Sequence, residues 1–158
     1  MPQYVVRAVN LPADPFTRGF LECAEWAGLS DSDAYCEACG LEAETGGECE
    51  DCGADIFTTR EAFEDCAAPR WSPGSLTRAA EDCEAFKRDN AADLEGADMA
   101  QAGHDFYLTR NRHGAGFWDG DYPKDVGDRL TAACRPYGET YEWFNTTTGM
   151  IETTPGYC

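Results

Sequence analysis

The feature that most constrains this chain is a pair of matching cysteine turns, YCEACG at 35–40 and ECEDCG at 48–53, with nine residues between Cys39 and Cys49. In each turn two residues separate the sulfurs and a glycine follows. That spacing lets a tight turn aim both thiolates at one tetrahedral ion, and glycine accepts the positive φ the turn requires. Two such knuckles on a short connection predict a zinc ribbon in which Cys36, Cys39, Cys49 and Cys52 hold a structural Zn2+. Disulfide pairing would need an oxidising compartment and would leave one of the nine cysteines over. A thioredoxin-like redox site would need a single CxxC after a strand of a βαβ unit. An iron–sulfur or rubredoxin-like iron centre uses the same four ligands, and spacing alone does not separate it from zinc. No electron-transfer motif accompanies the cysteines, so zinc is the expectation. Cys23, Cys83 and Cys134 fall near helix faces and read as small buried hydrophobes, while Cys66 and Cys158 carry no assigned role.

A ribbon of this kind has little apolar surface of its own, so a core must come from the flanking segments. The chain has 158 residues, enough for one ordinary domain with a small insertion, and its 42% hydrophobic and 12% aromatic content excludes a disordered acidic tail. Residues 3–9, QYVVRAV, are β-prone and predict a short strand. Asp14-Pro15 marks a helix start, and Phe16, Phe20, Ala24 and Ala27 recur at helical spacing to about residue 29, with Trp26 and Leu29 closing the face. Ser72-Pro73 repeats the start signal for a helix to about 90, with Leu76, Ala79, Ala80, Cys83 and Phe86 facing inward. Further helices are predicted at about 97–111, burying Met99, Ala102, Phe106 and Tyr107, and at 125–135, burying Val126, Leu130 and Ala133. A glycine-rich loop at 112–125 separates them, and the β-prone runs 140–145 and 150–153 around a Gly-containing turn predict a hairpin. The expected fold is α+β, a mainly helical domain of residues 1–29 and 71–158 with a C-terminal β-hairpin, interrupted at 30–70 by the four-cysteine ribbon.

Charge divides along the same boundary. The formal net charge is −18, and residues 22–65 hold fourteen acidic side chains against one basic, a net of −13. Zinc ribbons that touch nucleic acid do so through Lys and Arg beside the knuckles. Here those positions are Glu37, Glu42, Glu44, Glu48, Glu50 and Asp51, so direct nucleic-acid binding through this face is disfavoured. The face is suited either to solubility or to a basic protein partner. No run of about 18 apolar residues is present, and the N-terminal MPQYVVRAVNLPADPF lacks a secretory signal pattern, so no membrane role and an intracellular setting are expected.

The second distinctive run is AGHDFYLTRNRHGAGFWDGD, residues 102–121, which holds both histidines. A catalytic reading makes His104 or His113 a general base, Asp105 or Asp119 its orienter or a metal ligand, and Arg110 an anion clamp. No nucleophile motif, phosphate loop or HExxH pattern supports it. The structural reading pairs Arg110 with Asp119 or Asp105, lets Asn111 and the histidines satisfy loop backbone groups, and places Phe117 and Trp118 in the core.

The run HDFYLTRNRHGAGFWD, followed by VGDRLTAACRPYGE and an aromatic hairpin, resembles the HDFWLTRNGHGAGFWD segment of small acidic proteins from tailed bacteriophages and prophages. Tyr107 and Arg112 stand where that pattern has Trp and Gly. The resemblance implies a viral or prophage origin and action in the cytoplasm of an infected cell, and it carries over no functional residue. The expected function is that of a non-enzymatic accessory protein that binds a host or viral protein, with the acidic face acting as a DNA mimic or defence inhibitor. The alternatives are a small hydrolase or nucleic-acid-processing enzyme centred on His104, Asp105, His113 and Asp119, and a structural virion-associated component. Oligomeric state is not legible in the chain.

Overall fold

The structure, a computed structural model, describes residues 8–29, 34–35, 42–43, 47–49, 52–53, 55–56 and 59–156. Its mixed α+β architecture starts from three capped helices. Asp14 accepts the Thr17 N–H at 2.9 Å and opens α1, Pro15–Cys23. Ser72 Oγ accepts the Ser75 N–H and opens α3, Pro73–Asp89. Asp98 accepts the Gln101 N–H at 2.9 Å and opens α4, Met99–Arg110. Each cap satisfies one of the orphan donors of a first turn. The shorter α2, Thr59–Asp65, lies between α1 and α3 in the chain, and α5, Lys124–Cys134, runs into a 3-10 turn, Arg135–Tyr137.

The strands are short. β1, Ala34–Tyr35, pairs antiparallel with β2, Glu42–Ala43, and β3, Gly47–Glu48, with β4, Asp55–Ile56. The first cysteine turn falls in the chain between β1 and β2, and the second between β3 and β4. At the second, the Gly53 N–H donates to the Cys49 carbonyl at 2.8 Å and Gly53 has φ +72, the left-handed turn that the CxxCG spacing predicts. The third sheet has the order β5-β7-β6: β6, Glu142–Asn145, and β7, Met150–Thr153, form the predicted hairpin, and β5, Arg70–Trp71, adds to β7 in parallel. The Asn10 side chain donates to the Trp71 carbonyl and accepts its N–H, both at 2.8 Å, which covers the outer edge of β5.

α1 and α4 are the closest helix pair, and glycines set their spacing. A Cβ on Gly103 would lie 2.1 Å from the Phe16 carbonyl oxygen, and one on Gly19 would lie 2.2 Å from that of Ala100. Backbone therefore packs against backbone at the crossing. Around it Phe16, Phe20, Phe86, Phe106 and Phe117 form one buried aromatic cluster, with Phe86 and Phe106 stacked at a 4.2 Å centroid separation. Leu21, Cys23, Cys83, Leu130 and Cys134 fill the remainder. Burial pushes the thiol pKa of Cys23, Cys83 and Cys134 upward, which keeps them protonated and unreactive.

Several sequence expectations change. Of the strand expected at 3–9, residues 3–7 lie outside the described residues, and residues 8–10 are irregular, with Val9 63% exposed. The first helix continues past Cys23 as a π-helical turn, Ala24–Gly28. The wider turn breaks the 3.6-residue register, so Trp26 faces solvent at 40% exposure instead of closing the apolar face, and Glu25 turns inward to accept the Trp71 indole N–H at 3.0 Å. Leu29 is buried as expected. At the far end of the cysteine-bearing excursion, Phe63 of α2 packs edge-on against Phe144 of β6 at 5.9 Å, and Trp71 is buried in the core sheet, so residues 59–71 are anchored on the core. Among the described residues no helix is long and apolar enough to cross a membrane.

Candidate functional site

α4 is buried on most of its circumference, and its polar residues face different neighbours. His104 is partly buried against α1, with Nε2 3.9 Å from Glu22 Oε2. Burial holds its pKa below the usual histidine range while Glu22 pulls the other way. Asp105 is fully buried and accepts from the Tyr122 hydroxyl at 3.1 Å and the Gln101 amide at 3.2 Å. Burial raises its pKa to about 6 against those two hydrogen bonds, and the nearby charges of Asp119 and Asp121 raise it further. Tyr107 donates to Glu142 at 2.8 Å, and Glu142 also accepts from Thr140 and Thr153 hydroxyls at 2.7 and 3.3 Å. Burial raises the pKa of Glu142 as well. This carboxyl ties α4 to the hairpin.

Among the described residues Arg110 is the most completely enclosed cation. Its guanidinium donates to the Gly138 and Tyr137 carbonyls at 3.0 and 2.9 Å and to Asp82 at 2.9 Å. It lies 5.4–5.8 Å from the ring centroids of Phe106, Tyr137 and Phe20. The expected partner, Asp105 or Asp119, is replaced by Asp82 of α3, because Arg110 points toward α3 and the turn after α5. Asn111 does not satisfy the loop: its amide donates to the Tyr107 carbonyl of α4 at 3.0 Å, and its oxygen accepts the Thr140 N–H at 2.8 Å, tying the end of α4 to the segment before β6. Asp119 accepts the Gly116 N–H at 3.2 Å, and Thr109 Oγ accepts that of Phe117 at 3.0 Å, so the glycine loop folds back onto α4. Phe117 enters the core. Trp118 does not: it is 52% exposed, because one buried aromatic already fills the space under the loop.

Among the described residues neither histidine forms a hydrogen bond or ion pair with Asp105 or Asp119. His104 faces Glu22, Asp105 faces Tyr122, and His113 lies beside the Tyr107 ring at a 6.0 Å centroid distance. Both histidines therefore face away from Asp105, while Asp119 is near enough to Asp105 for its charge to raise the Asp105 pKa. His113 instead lines a cavity of about 610 Å³ together with Arg112, Trp118, Thr131, Arg135 and Glu139. A second cavity, beside Tyr122, is lined by Asp93, Glu95, Asp98 and Asp121.

Of the cysteine set, Cys36 and Cys39 lie outside the described residues, as do Glu37, Glu44, Glu50 and Asp51 and the side chain of Glu42. Cys49 is buried, Cys52 is exposed and Glu48 is exposed. Among the described residues no group of three or more His, Cys, Asp or Glu is placed to hold a metal ion.

Glu142, Asp82 and Tyr122 were not singled out from sequence. Glu142 had a signal: it alternates with Phe144 in a half-buried strand and so must share its inward face. Asp82 and Tyr122 had none, since each meets its partner only through the packing of separate elements.

The Asp105 environment predicts a pH dependence. Its pKa in the folded protein, about 6, lies above the ordinary 3.8. The neutral acid is therefore favoured by folding, the benefit is complete below about pH 4, and it is lost as the pH rises through about 6. Asp105→Asn removes the titration while Gln101 can reverse its amide to keep both hydrogen bonds. The variant is expected to unfold at higher urea than the parent near pH 8, by about 3 kcal/mol, and to match it near pH 4. An equal difference at both pH values in urea titrations would contradict this account of Asp105.

No protein-family model matches the chain, and no curated protein or solved structure gives a significant match.

Proposed function

We propose that this protein is a non-enzymatic binding protein, of phage or prophage origin, that presents the acidic excursion on a zinc ribbon to a basic surface of a host or viral protein in the cytoplasm of an infected cell. The observation that carries the proposal is the separation of charge. The only basic residue between 22 and 65 is Arg60, and its guanidinium donates to the backbone carbonyls of Trp26 and Leu29 at the end of the π-helical turn. That cation caps the core. Glu48, Glu61, Glu64 and Asp65 are exposed on the same stretch. A stretch with fourteen acidic side chains against one basic favours a cationic partner and repels phosphate backbones, which is the chemistry of a nucleic-acid mimic. That His104 and His113 face Glu22 and Tyr107, away from Asp105 and Asp119, supports a binding role over a hydrolytic one.

Zinc gives such a surface its rigidity in this proposal. Four thiolates from Cys36, Cys39, Cys49 and Cys52 would hold one ion and order a segment with little core of its own. Protein purified without chelator is expected to contain about one zinc per chain by elemental analysis; a value near zero removes the ribbon. Binding is tested by capture from host lysate at low and moderate salt, comparing the parent with a variant carrying Gln at Glu37, Glu42, Glu44, Glu48 and Glu50 and Asn at Asp51. The parent is expected to retain a defined protein that the neutralised variant loses. Recovery of nothing at either salt, or equal recovery by both, defeats the proposal.

A further inference from the structure

Against a chain of net charge −18, the cavity beside His113 is lined by two exposed arginines, Arg112 and Arg135, with Glu139 as the single carboxylate. We propose that this cavity binds a nucleoside monophosphate, with the base stacked on Trp118 and the phosphate held by Arg112 and Arg135. The proposal does not depend on the acidic face or on zinc.

Three observations converge. The volume, about 610 Å³, is that of a pocket for a small molecule. Trp118 is half exposed at its rim although the neighbouring Phe117 is buried, and an exposed indole beside cations is the usual platform for a planar base. Arg112 has φ +57, the only non-glycine among the described residues in the left-handed region. It is the residue just past the end of α4, where its N–H donates to the Thr109 carbonyl at 3.2 Å and the His113 N–H to the Leu108 carbonyl at 2.9 Å, and this helix cap leaves the Arg112 side chain exposed at the cavity.

Arg112 is held to Glu139 at 3.1 Å, but both side chains are exposed, 83% and 45%, and a pair so wet competes poorly with a phosphate. Arginines near helix ends also answer the helix dipole, and Arg112 and Arg135 follow α4 and α5. That role requires no exposed tryptophan, and it predicts a different result below. A long nucleic acid is disfavoured by the overall charge, whereas one phosphate meets only the local field.

The full chain is titrated with AMP, adenosine and inorganic phosphate at low salt, following tryptophan fluorescence and heat. AMP is expected to saturate below about 1 mM, and adenosine or phosphate alone to bind about tenfold more weakly or worse. Trp118→Ala and the double variant Arg112→Ala/Arg135→Ala should each weaken AMP by about tenfold or more. Arg112→Gly should also weaken AMP while raising the thermal midpoint, since it relieves the left-handed strain. The proposal is overturned if AMP gives no saturable signal up to about 10 mM, if phosphate binds as tightly as AMP, or if the double variant binds AMP unchanged. A lowered midpoint in Arg112→Gly with unaltered AMP affinity would assign Arg112 to the helix dipole and also overturn it.

Discussion

Gly103→Ala is expected to lower the unfolding free energy by about 3 kcal/mol, although alanine is intrinsically the better helix former. The added methyl would sit 2.1 Å from the Phe16 carbonyl oxygen and 2.9 Å from the Phe20 nitrogen, and both are backbone atoms inside another helix. Neither can rotate away, so α1 and α4 must separate and the contacts among Phe16, Phe20 and Phe106 loosen together. Gly74→Ala in α3 is the matched control. Its methyl would meet only the end of the flexible Arg78 side chain, at 3.5 Å, and the substitution is expected to be neutral or stabilising by up to about 1 kcal/mol. Urea unfolding of both variants measures the contrast. Equal midpoints would mean that the α1–α4 crossing is not limited by backbone contact.

Arg110→Ala is expected to cost about 3–5 kcal/mol. The substitution orphans the Tyr137 and Gly138 carbonyls and withdraws a cation from three aromatic faces. Asp82, about one-third exposed, can recover water and contributes the smaller part of the loss. Arg110→Lys is expected to recover little of it, because a single ammonium cannot span two carbonyls and a carboxylate as the planar fork does. If the lysine variant matched the parent in thermal unfolding, the fork geometry would be irrelevant and charge alone would account for Arg110. A variant near the parent in both cases would show that the turn after α5 is held by other contacts.

The two substitutions fall in a run whose importance was visible in the sequence while its partners were not. The density of polar groups between His104 and Asp121 marks an ordered loop, and the structure has one, closed by Thr109 and Asp119 onto backbone N–H groups. Asn111 reaches instead to the Thr140 N–H, 29 residues on, which nothing in its own neighbourhood signals. Arg110 was assigned a local carboxylate and has Asp82, 28 residues away. Trp118 was assigned to the core with Phe117, and only Phe117 is there. Adjacent loop residues point in different directions, and no periodicity says which one turns inward.

What the chain determined by itself is the set of local elements. Asp14-Pro15 and Ser72-Pro73 start helices because a cap and a preset φ act within three residues; the Gly-containing turn at 146–149 makes a hairpin for a similarly short-range reason. The charge separation is equally independent of fold, being a property of composition. Tertiary structure decided the rest: the parallel addition of β5 to β7, the seating of Phe63 on Phe144, the π-helical turn that exposes Trp26 and buries Glu25, and the choice of Asp82 for Arg110. These depend on which surfaces meet after the chain closes. A residue's own neighbours carry no record of a partner tens of positions away, so such pairings become legible only when packing has brought the two together.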